Sequence, residues 1–151
     1  MKKVAIVEDN PDNRLLVEAI LEDEFELELF EDGIEAVAGI PRFEPHVILL
    51  DISLPGMDGK EVLRRLRAEP RTSSIPVIAF TAHAMYGDRE DLLALGFNEY
   101  VSKPIVDSFA SIKVMTSRRR SKKLPRSWCG DLKVSFSTCV SSLRSSRLQR
   151  P

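Results

Sequence analysis

The chain has 151 residues, of which 43% are hydrophobic, enough for one compact domain with a buried core. No apolar run approaches the length of a membrane span, and the chain opens with Met-Lys-Lys and a short strand-like run, so we expect no membrane segment and no signal peptide. Cys129 and Cys139 do not resemble a disulfide scaffold, which favours a cytoplasmic protein.

The net charge of −1 hides two regions of opposite sign. Residues 1–105 hold 11 Lys/Arg and 21 Asp/Glu, a net charge of −10, whereas residues 106–151 hold 11 Lys/Arg and 2 Asp/Glu, a net charge of +9. This asymmetry predicts two parts with different physical properties. We expect a folded domain over residues 1–116, with an atypical or incomplete last helix from residue 106, and a basic Ser/Arg-rich tail over residues 117–151.

Strand-like and helix-like segments alternate through residue 105. A short apolar strand at residues 4–7 precedes Asn10 and Pro11, which are typical of a helix N-cap and a first helical turn. A helix is therefore predicted over about residues 11–23. Its apolar side chains recur at helical spacing: Leu15, Leu16, Ala19 and Ile20.

The next two strands differ in pattern. Between residues 25 and 29, apolar side chains alternate with glutamates, as in a half-exposed strand at a sheet edge. Asp32 and Gly33 predict a turn, followed by a short helix through about Gly39. Residues 46–50 are the most apolar strand candidate and lead directly to Asp51.

The second half of the domain repeats this alternation. A loop at residues 54–59 precedes a helix, a fourth strand covers residues 75–80, and residues 88–95 are predicted to be helical. A fifth short strand contains Tyr100. Five strands separated by helices predict an α/β fold with a doubly wound parallel sheet and right-handed crossovers.

Five polar side chains are predicted at the carboxyl ends of these strands, where ligands bind in sheets of this kind. They are Glu8, Asp9, Asp51, Thr81 and Lys103. Three carboxylates repel one another without a cation, and oxygen ligands with this much charge suit Mg²⁺. An aspartate carboxylate is also a nucleophile toward phosphorus, and a metal and a lysine would neutralise the transferring group.

The sequence resembles the receiver domain of two-component response regulators, especially the small single-domain, chemotaxis-regulator-like receivers. The resemblance rests on the stretches VAIVEDN (residues 4–10), ILLDISLPGMDG (48–59), IPVIAFTA (75–82) and YVSKPI (100–105). It implies a flavodoxin-like sheet with strand order 2-1-3-4-5.

The resemblance also implies a role for each site residue. Asp51 would accept a phosphoryl group, and the metal ligands would be Glu8, Asp9, Asp51 and the backbone carbonyl of Ser53. Contacts to the phosphoryl group would come from Thr81 and Lys103, and Tyr100 matches an aromatic switch position. The rate of dephosphorylation would be tuned by Ser53 and His83, although His83 is as readily a plain surface histidine.

The implied function is a signalling switch rather than an enzyme, with weak self-phosphorylation and autodephosphorylation. The implied partners are a sensor histidine kinase or a histidine phosphotransfer protein, and a downstream effector protein. A hydrolase of the haloacid-dehalogenase type also uses an Asp nucleophile and magnesium. It expects a second Asp two residues later, where this chain has Ser53.

Three interpretations of the basic tail remain open. It is a disordered arm that binds nucleic acid or an acidic surface, a small output module, or non-native sequence such as a translated frameshift. The basic run at residues 118–123 favours the first, and the abrupt change in charge and serine content near residue 106 favours the third. Pro125 is expected to end any helix that reaches it.

Overall fold

The structure is a computed structural model that describes residues 1–82, 88–103, 112, 113 and 116. Within those residues, strands and helices alternate strictly. In chain order they are β1 (Lys2–Val7), α1 (Pro11–Leu21), β2 (Phe25–Phe30), α2 (Gly33–Phe43), β3 (Val47–Asp51), α3 (Gly59–Ala68), β4 (Val77–Thr81), α4 (Asp88–Leu95) and β5 (Glu99–Ser102).

The five strands form one parallel sheet in the order β2-β1-β3-β4-β5. This confirms the predicted doubly wound α/β architecture and the position of the second strand at an edge. The central strands β3 and β4 are buried along their whole length, because helices cover both of their faces. In β2, by contrast, only the terminal phenylalanines are buried.

The sheet separates two hydrophobic cores. On one face, α2, α3 and α4 contribute Ile40, Val62, Leu66 and Leu92 to the larger core. On the other face, Val17 and Leu21 of α1 pack against alternate residues of the strands. Successive side chains of a strand point to opposite faces, so each central strand supplies both cores.

Helix α1 was predicted from the helical spacing of four apolar residues, and the helix is present. Of these four, Ile20 packs against the core, whereas Leu15, Leu16 and Ala19 are exposed. The fully buried residues of the helix are Val17 and Leu21. Apolar residues occur in almost every direction around this helix, so its periodicity is compatible with more than one buried face.

Helix α2 extends beyond the predicted end near Gly39 and includes Pro41. Proline lacks the amide hydrogen that a helix uses at this position, so continuation costs one backbone hydrogen bond. Ile40 is fully buried, and Phe43 packs against the larger core from one turn further along. Burial of these two side chains offsets the missing bond, and the helix ends at Glu44, which adopts a left-handed conformation.

Arg67 on α3 links two loops at the end of the sheet opposite the carboxyl ends of the strands. The Arg67 guanidinium donates to the carbonyl oxygens of Ser73, Ile75 and Gly96 and to Oδ1 of Asn98, at 2.7–3.2 Å. The same Asn98 oxygen accepts a hydrogen bond from the amide of Val77 at the start of β4. Burial lowers the pKa of Arg67 from its ordinary value.

Beyond β5, three described residues have helical backbone: Ile112, Lys113 and Thr116. Ile112 is fully buried in the core on the α1 face, and Lys113 donates a hydrogen bond of 2.6 Å to Glu24. Most of the predicted last helix and the whole of the tail from residue 117 lie outside the described residues. Among the helices that are described, none has the length and apolar character needed to cross a membrane.

Candidate functional site

Polar residues meet at the carboxyl edge of the sheet because the parallel strands end side by side. Val7 pairs with Leu50, Asp51 with Phe80, and Thr81 with Ser102. Glu8 and Lys103 therefore follow strands that flank the ends of β3 and β4. The sequence argument placed five functional side chains at these ends, and the fold brings them to one edge.

Glu8 is fully buried and is held by both of its carboxylate oxygens. Oε1 accepts hydrogen bonds from the amide of Asn10 at 3.2 Å and from Nδ2 of Asn13 at 3.3 Å. Oε2 lies 2.5 Å from Nζ of Lys103, in an ion pair outside hydrogen-bond geometry, and no other described group donates to it. Burial raises the pKa of Glu8, the carboxylate of Asp51 raises it further, and Lys103 only partly opposes them.

Asp51 is the last residue of β3 and is almost completely buried. Its Oδ1 accepts a hydrogen bond from the amide of Ser53 at 3.0 Å, and its Oδ2 accepts one from Nζ of Lys103 at 2.7 Å. The carboxylate is thus fixed from two sides by hydrogen-bond donors, one of them charged.

Lys103 reaches from the end of β5 across the end of β4. Its amide donates to the carbonyl of Thr81 at 2.9 Å, and its ammonium group lies 4.8 Å from the centre of the Phe80 ring on the way to Asp51 and Glu8. Burial lowers the pKa of Lys103, but the two carboxylates outweigh burial and raise it above its ordinary value.

Asp9 is exposed and lies beside the buried pair. Carboxylate oxygens of Glu8, Asp9 and Asp51 all lie within 4.8 Å of one another. With Lys103 included, the cluster keeps two uncompensated negative charges, and the buried Oε2 of Glu8 has the Lys103 ammonium as its one partner among the described residues. Hard oxygen ligands of this charge fit a small divalent cation such as Mg²⁺.

Two of the remaining predicted site residues, Thr81 and Ser53, line a common cleft. Thr81 ends β4 and is buried, whereas the Ser53 side chain is exposed; both line a cleft of about 220 Å³ that also includes Lys60. Tyr100 lies in β5, half-buried against the larger core. His83 lies outside the described residues.

Two residues that the sequence argument did not single out contact the cluster. Asn13 donates to Glu8, and Nη1 of Arg14 donates to the backbone carbonyls of Glu8 and Asp9. Both lie in the first turns of α1, directly after the acidic pair. Helix α1 begins at Pro11, two residues after Asp9, so its fourth residue, Arg14, lies one turn along the helix and back over the loop. This spacing is the sequence signal that could have identified Asn13 and Arg14.

Comparison with known proteins agrees with this geometry. The family model described as "Response regulator receiver domain" matches residues 4–113. The chain therefore belongs to the response regulator receiver family, the receiver domains of two-component systems.

Similar proteins include receiver domains within much longer sensor proteins. The chain is 41% identical over 107 residues to the sensor protein GacS of Pseudomonas syringae pv. syringae, a match that covers 68% of this chain and 12% of that protein. It is 39% identical over 117 residues to the response regulator PleD of Caulobacter vibrioides, covering 76% of this chain and 26% of PleD. The chain thus spans only a small part of the length of these two relatives.

Solved structures give the same result. The receiver domain of the sensor histidine kinase PA1611 from Pseudomonas aeruginosa PAO1 is 36% identical with a TM-score of 0.67, and the match covers 76% of this chain and 93% of that one. That structure has a magnesium ion coordinated in its active site cleft. The chemotaxis protein CheY4 of Vibrio cholerae is 26% identical with a TM-score of 0.68, over 76% of this chain and 96% of that one.

Proposed function

We propose that this chain is a phosphorylation-dependent switch in which Asp51 accepts a phosphoryl group in a Mg²⁺-dependent reaction. The single observation that carries the proposal is the arrangement around Asp51: a nearly buried carboxylate held by Lys103 and by the Ser53 amide, with two further carboxylates beside it. A nucleophile for phosphorus needs this kind of fixed position and nearby positive charge.

In the proposed reaction an oxygen of the Asp51 carboxylate attacks phosphorus while the bond from phosphorus to a donor histidine nitrogen breaks. The products are an aspartyl phosphate and a free imidazole. We propose Glu8, Asp9, Asp51 and the Ser53 carbonyl as ligands of the cation, which would neutralise charge on the phosphoryl oxygens. Lys103 and Thr81 would contact those oxygens, because both lie at neighbouring strand ends.

The output of the switch would be a shift between two conformations. The aspartyl phosphate would carry about 1.5 to 2 negative charges in place of the single charge of the Asp51 carboxylate. A difference of about 3 kcal/mol between the states would change their ratio roughly a hundredfold. We propose Tyr100 as the aromatic residue that responds to Thr81, because the two residues lie on adjacent paired strands. Loss of the phosphoryl group to water would be slow and tuned by Ser53 and His83.

The proposed phosphodonor is a sensor histidine kinase or a histidine phosphotransfer protein, and the proposed receiver of the signal is an effector protein. The similar solved structure is the receiver domain of a sensor histidine kinase, which supports the first part. We assign the switch to residues 1–116 and treat residues 117–151 as a separate basic tail. A nucleic-acid contact through that tail and a cytoplasmic location stay predictions.

The test is labelling of the full chain by acetyl phosphate, with and without Mg²⁺, read by intact mass and by acid lability of the product. We expect one phosphoryl group in the wild type with Mg²⁺ and none in Asp51→Asn. Asp58→Asn is the matched control, because Asp58 caps α3 and asparagine caps a helix as well. Labelling of Asp51→Asn at the wild-type level would refute the assignment.

A further inference from the structure

The Arg14 side chain connects α1 to the loop that carries the two acidic residues after β1. Its Nη1 donates to the carbonyl oxygen of Glu8 at 2.9 Å and to that of Asp9 at 2.8 Å. Its Nη2 donates to Oε1 of Glu31 at 3.0 Å. Only 17% of the side chain is exposed, although the nearby Asp12 and Leu15 are exposed.

The two carbonyl oxygens that Arg14 binds belong to consecutive peptide planes. One plane joins Glu8 to Asp9 and the other joins Asp9 to Asn10, so together they determine both backbone dihedrals of Asp9. Those dihedrals set the direction in which the Asp9 side chain leaves the backbone. The sheet itself does not set them, because the last pairing bond along this segment is from the Glu8 amide to Phe30.

Asp9 depends on this backbone control more than its neighbour does. The Glu8 carboxylate is held by Asn10, Asn13 and Lys103. In the part of the chain that the structure describes, no comparable hydrogen bond holds the Asp9 carboxylate, and the side chain is exposed. An exposed aspartate on a loop samples several directions unless its backbone is fixed.

We propose that Arg14 is a positioning residue for the cation site, acting through the backbone to aim the Asp9 carboxylate at the space beside Glu8 and Asp51. The proposal rests on the Mg²⁺ site of the proposed function and adds a residue that touches neither the cation nor the phosphoryl group. A chain of contacts holds Arg14 in turn: Glu31 accepts from it, and the Glu31 amide donates to Glu35.

Arginine suits this role better than lysine for a geometric reason. The planar guanidinium presents donors in a fixed fork, so Nη1 can bridge two carbonyl oxygens while Nη2 points to a third acceptor. A lysine ammonium group could reach one carbonyl but would not fix the angle between two peptide planes. Groups outside the ligand shell typically change metal affinity by about 10- to 100-fold when they are removed.

The experiment compares the full-length wild type with Arg14→Met, Arg14→Lys and Glu31→Gln. Glu31→Gln is the matched control, because it removes the outer ion pair and leaves both carbonyl contacts. Mg²⁺ affinity is measured by titration calorimetry, and unfolding in EDTA establishes that each variant is folded. We expect the dissociation constant to rise about 10-fold or more in Arg14→Met and by less in Arg14→Lys. For Glu31→Gln we expect a change below about threefold.

A second readout separates this inference from the proposed function. In EDTA, amide NMR signals of Asp9 and Asn10 are expected to shift and broaden in Arg14→Met but to stay in place in Glu31→Gln. If the wild type binds no Mg²⁺, the proposed function fails, and the NMR comparison still tests the positioning role. A folded Arg14→Met, or Arg14→Lys if the first does not fold, with wild-type Mg²⁺ affinity or unchanged Asp9 signals would overturn the inference.

Discussion

Gly59 contacts the backbone of Asp51 so closely that no side chain fits between them. A β-carbon at position 59 would lie 2.3 Å from the Asp51 carbonyl oxygen and 2.7 Å from the α-carbon of Ile52. The Gly59 amide donates to the carbonyl of Ile52 at 3.1 Å. The first residue of α3 is therefore fixed against the loop that positions Asp51.

Substitution of Gly59 by alanine is expected to destabilise the fold and to displace Asp51. The clash involves backbone atoms, which cannot rotate away as a flexible side chain does, so we expect a loss of about 1–3 kcal/mol in the free energy of unfolding. Urea unfolding in EDTA measures the loss. Phosphodonor labelling of the folded fraction is expected to be slower than in the wild type.

Gly56 provides the control, because glycine is favoured at position 56 by its backbone conformation and not by a close contact. It has a φ of +74°, and no atom of the described residues lies within 4 Å of the place that a β-carbon would take, so the backbone conformation is what makes a side chain unfavourable there. Asparagine tolerates this region better than alanine. We expect Gly56→Asn to be less destabilising than Gly56→Ala. At position 59, by contrast, we expect asparagine to be no less destabilising than alanine. Equal unfolding free energies for Gly59→Ala and the wild type would contradict the close contact.

Glu8 is expected to reduce the stability of the fold at neutral pH in the absence of divalent cations. Burial raises the pKa of Glu8, so the protonated carboxyl group stabilises the fold fully below pH 4.5. This stabilisation is lost as pH rises through the raised pKa of Glu8. Glu8→Gln removes the ionised form, and Lys103 keeps Asp51 as a partner. In EDTA we expect the Tm of Glu8→Gln to exceed that of the wild type, by more at pH 7.5 than at pH 5.

The change in Tm between pH 5 and pH 7.5 reports on the titration of Glu8 and not on that of Lys103. The pKa of Lys103 is raised above its ordinary 10.5, so this lysine stays protonated throughout and adds no slope between pH 5 and 7.5. Asp9→Asn serves as the comparison at an exposed carboxylate. With Mg²⁺ added, the order of the two Tm values is expected to reverse, because Glu8→Gln lacks one of the proposed Mg²⁺ ligands. A Tm of Glu8→Gln below the wild type in EDTA at pH 7.5 would show that the ion pair with Lys103 outweighs burial.

Glu61 is expected to stay ionised in acid. Oε2 and Oε1 accept hydrogen bonds from Arg64 and Arg65 at 2.7 and 2.8 Å, and these contacts lower its pKa to about 2. Side-chain carboxyl NMR signals followed against pH measure this value directly. In an Arg64→Gln, Arg65→Gln double variant the pKa is expected to return toward 4.5. A midpoint near 4.5 in the wild type would mean that solvent screens these exposed contacts.

Arg67 is expected to contribute far more to the stability of the fold than Arg64, which lies on the same helix. Its side chain bonds to four acceptors on two loops, so Arg67→Met leaves those acceptors without their charged donor. We expect a loss of at least about 1.5–3 kcal/mol in the free energy of unfolding. Arg64→Met, which loses only exposed contacts with Glu61, is expected to cost less than about 1 kcal/mol. Similar losses in the two variants would argue against the anchoring role.

The sheet and the edge that carries the cluster were predictable from the sequence because they depend on local patterns. Continuous apolar runs predicted the buried strands β3 and β4, and alternation predicted the edge strand β2. The residues that follow parallel strands then meet at one edge whatever the packing details are. That rule alone was enough to bring Glu8, Asp51 and Lys103 together as candidates.

The features that escaped prediction depend on packing between distant segments. The buried face of α1 is chosen by the sheet surface beneath it, so Val17 enters the core while Leu15 stays exposed. Pro41 remains helical because the core retains Phe43. Arg14 was missed because its partners at the site are two backbone carbonyls, which residue types do not reveal; only its spacing from the acidic pair gave a signal.

The Lys103 side chain connects the edge strand β5 to the centre of the sheet through its ion pairs. In the part of the chain that the structure describes, strand β5 pairs only with β4. The Lys103 ammonium group, which follows β5, lies over the Phe80 ring and reaches Asp51 at the end of the third strand and Glu8 just after the first. A change of charge at Asp51 is therefore expected to alter how firmly Lys103 holds this edge strand.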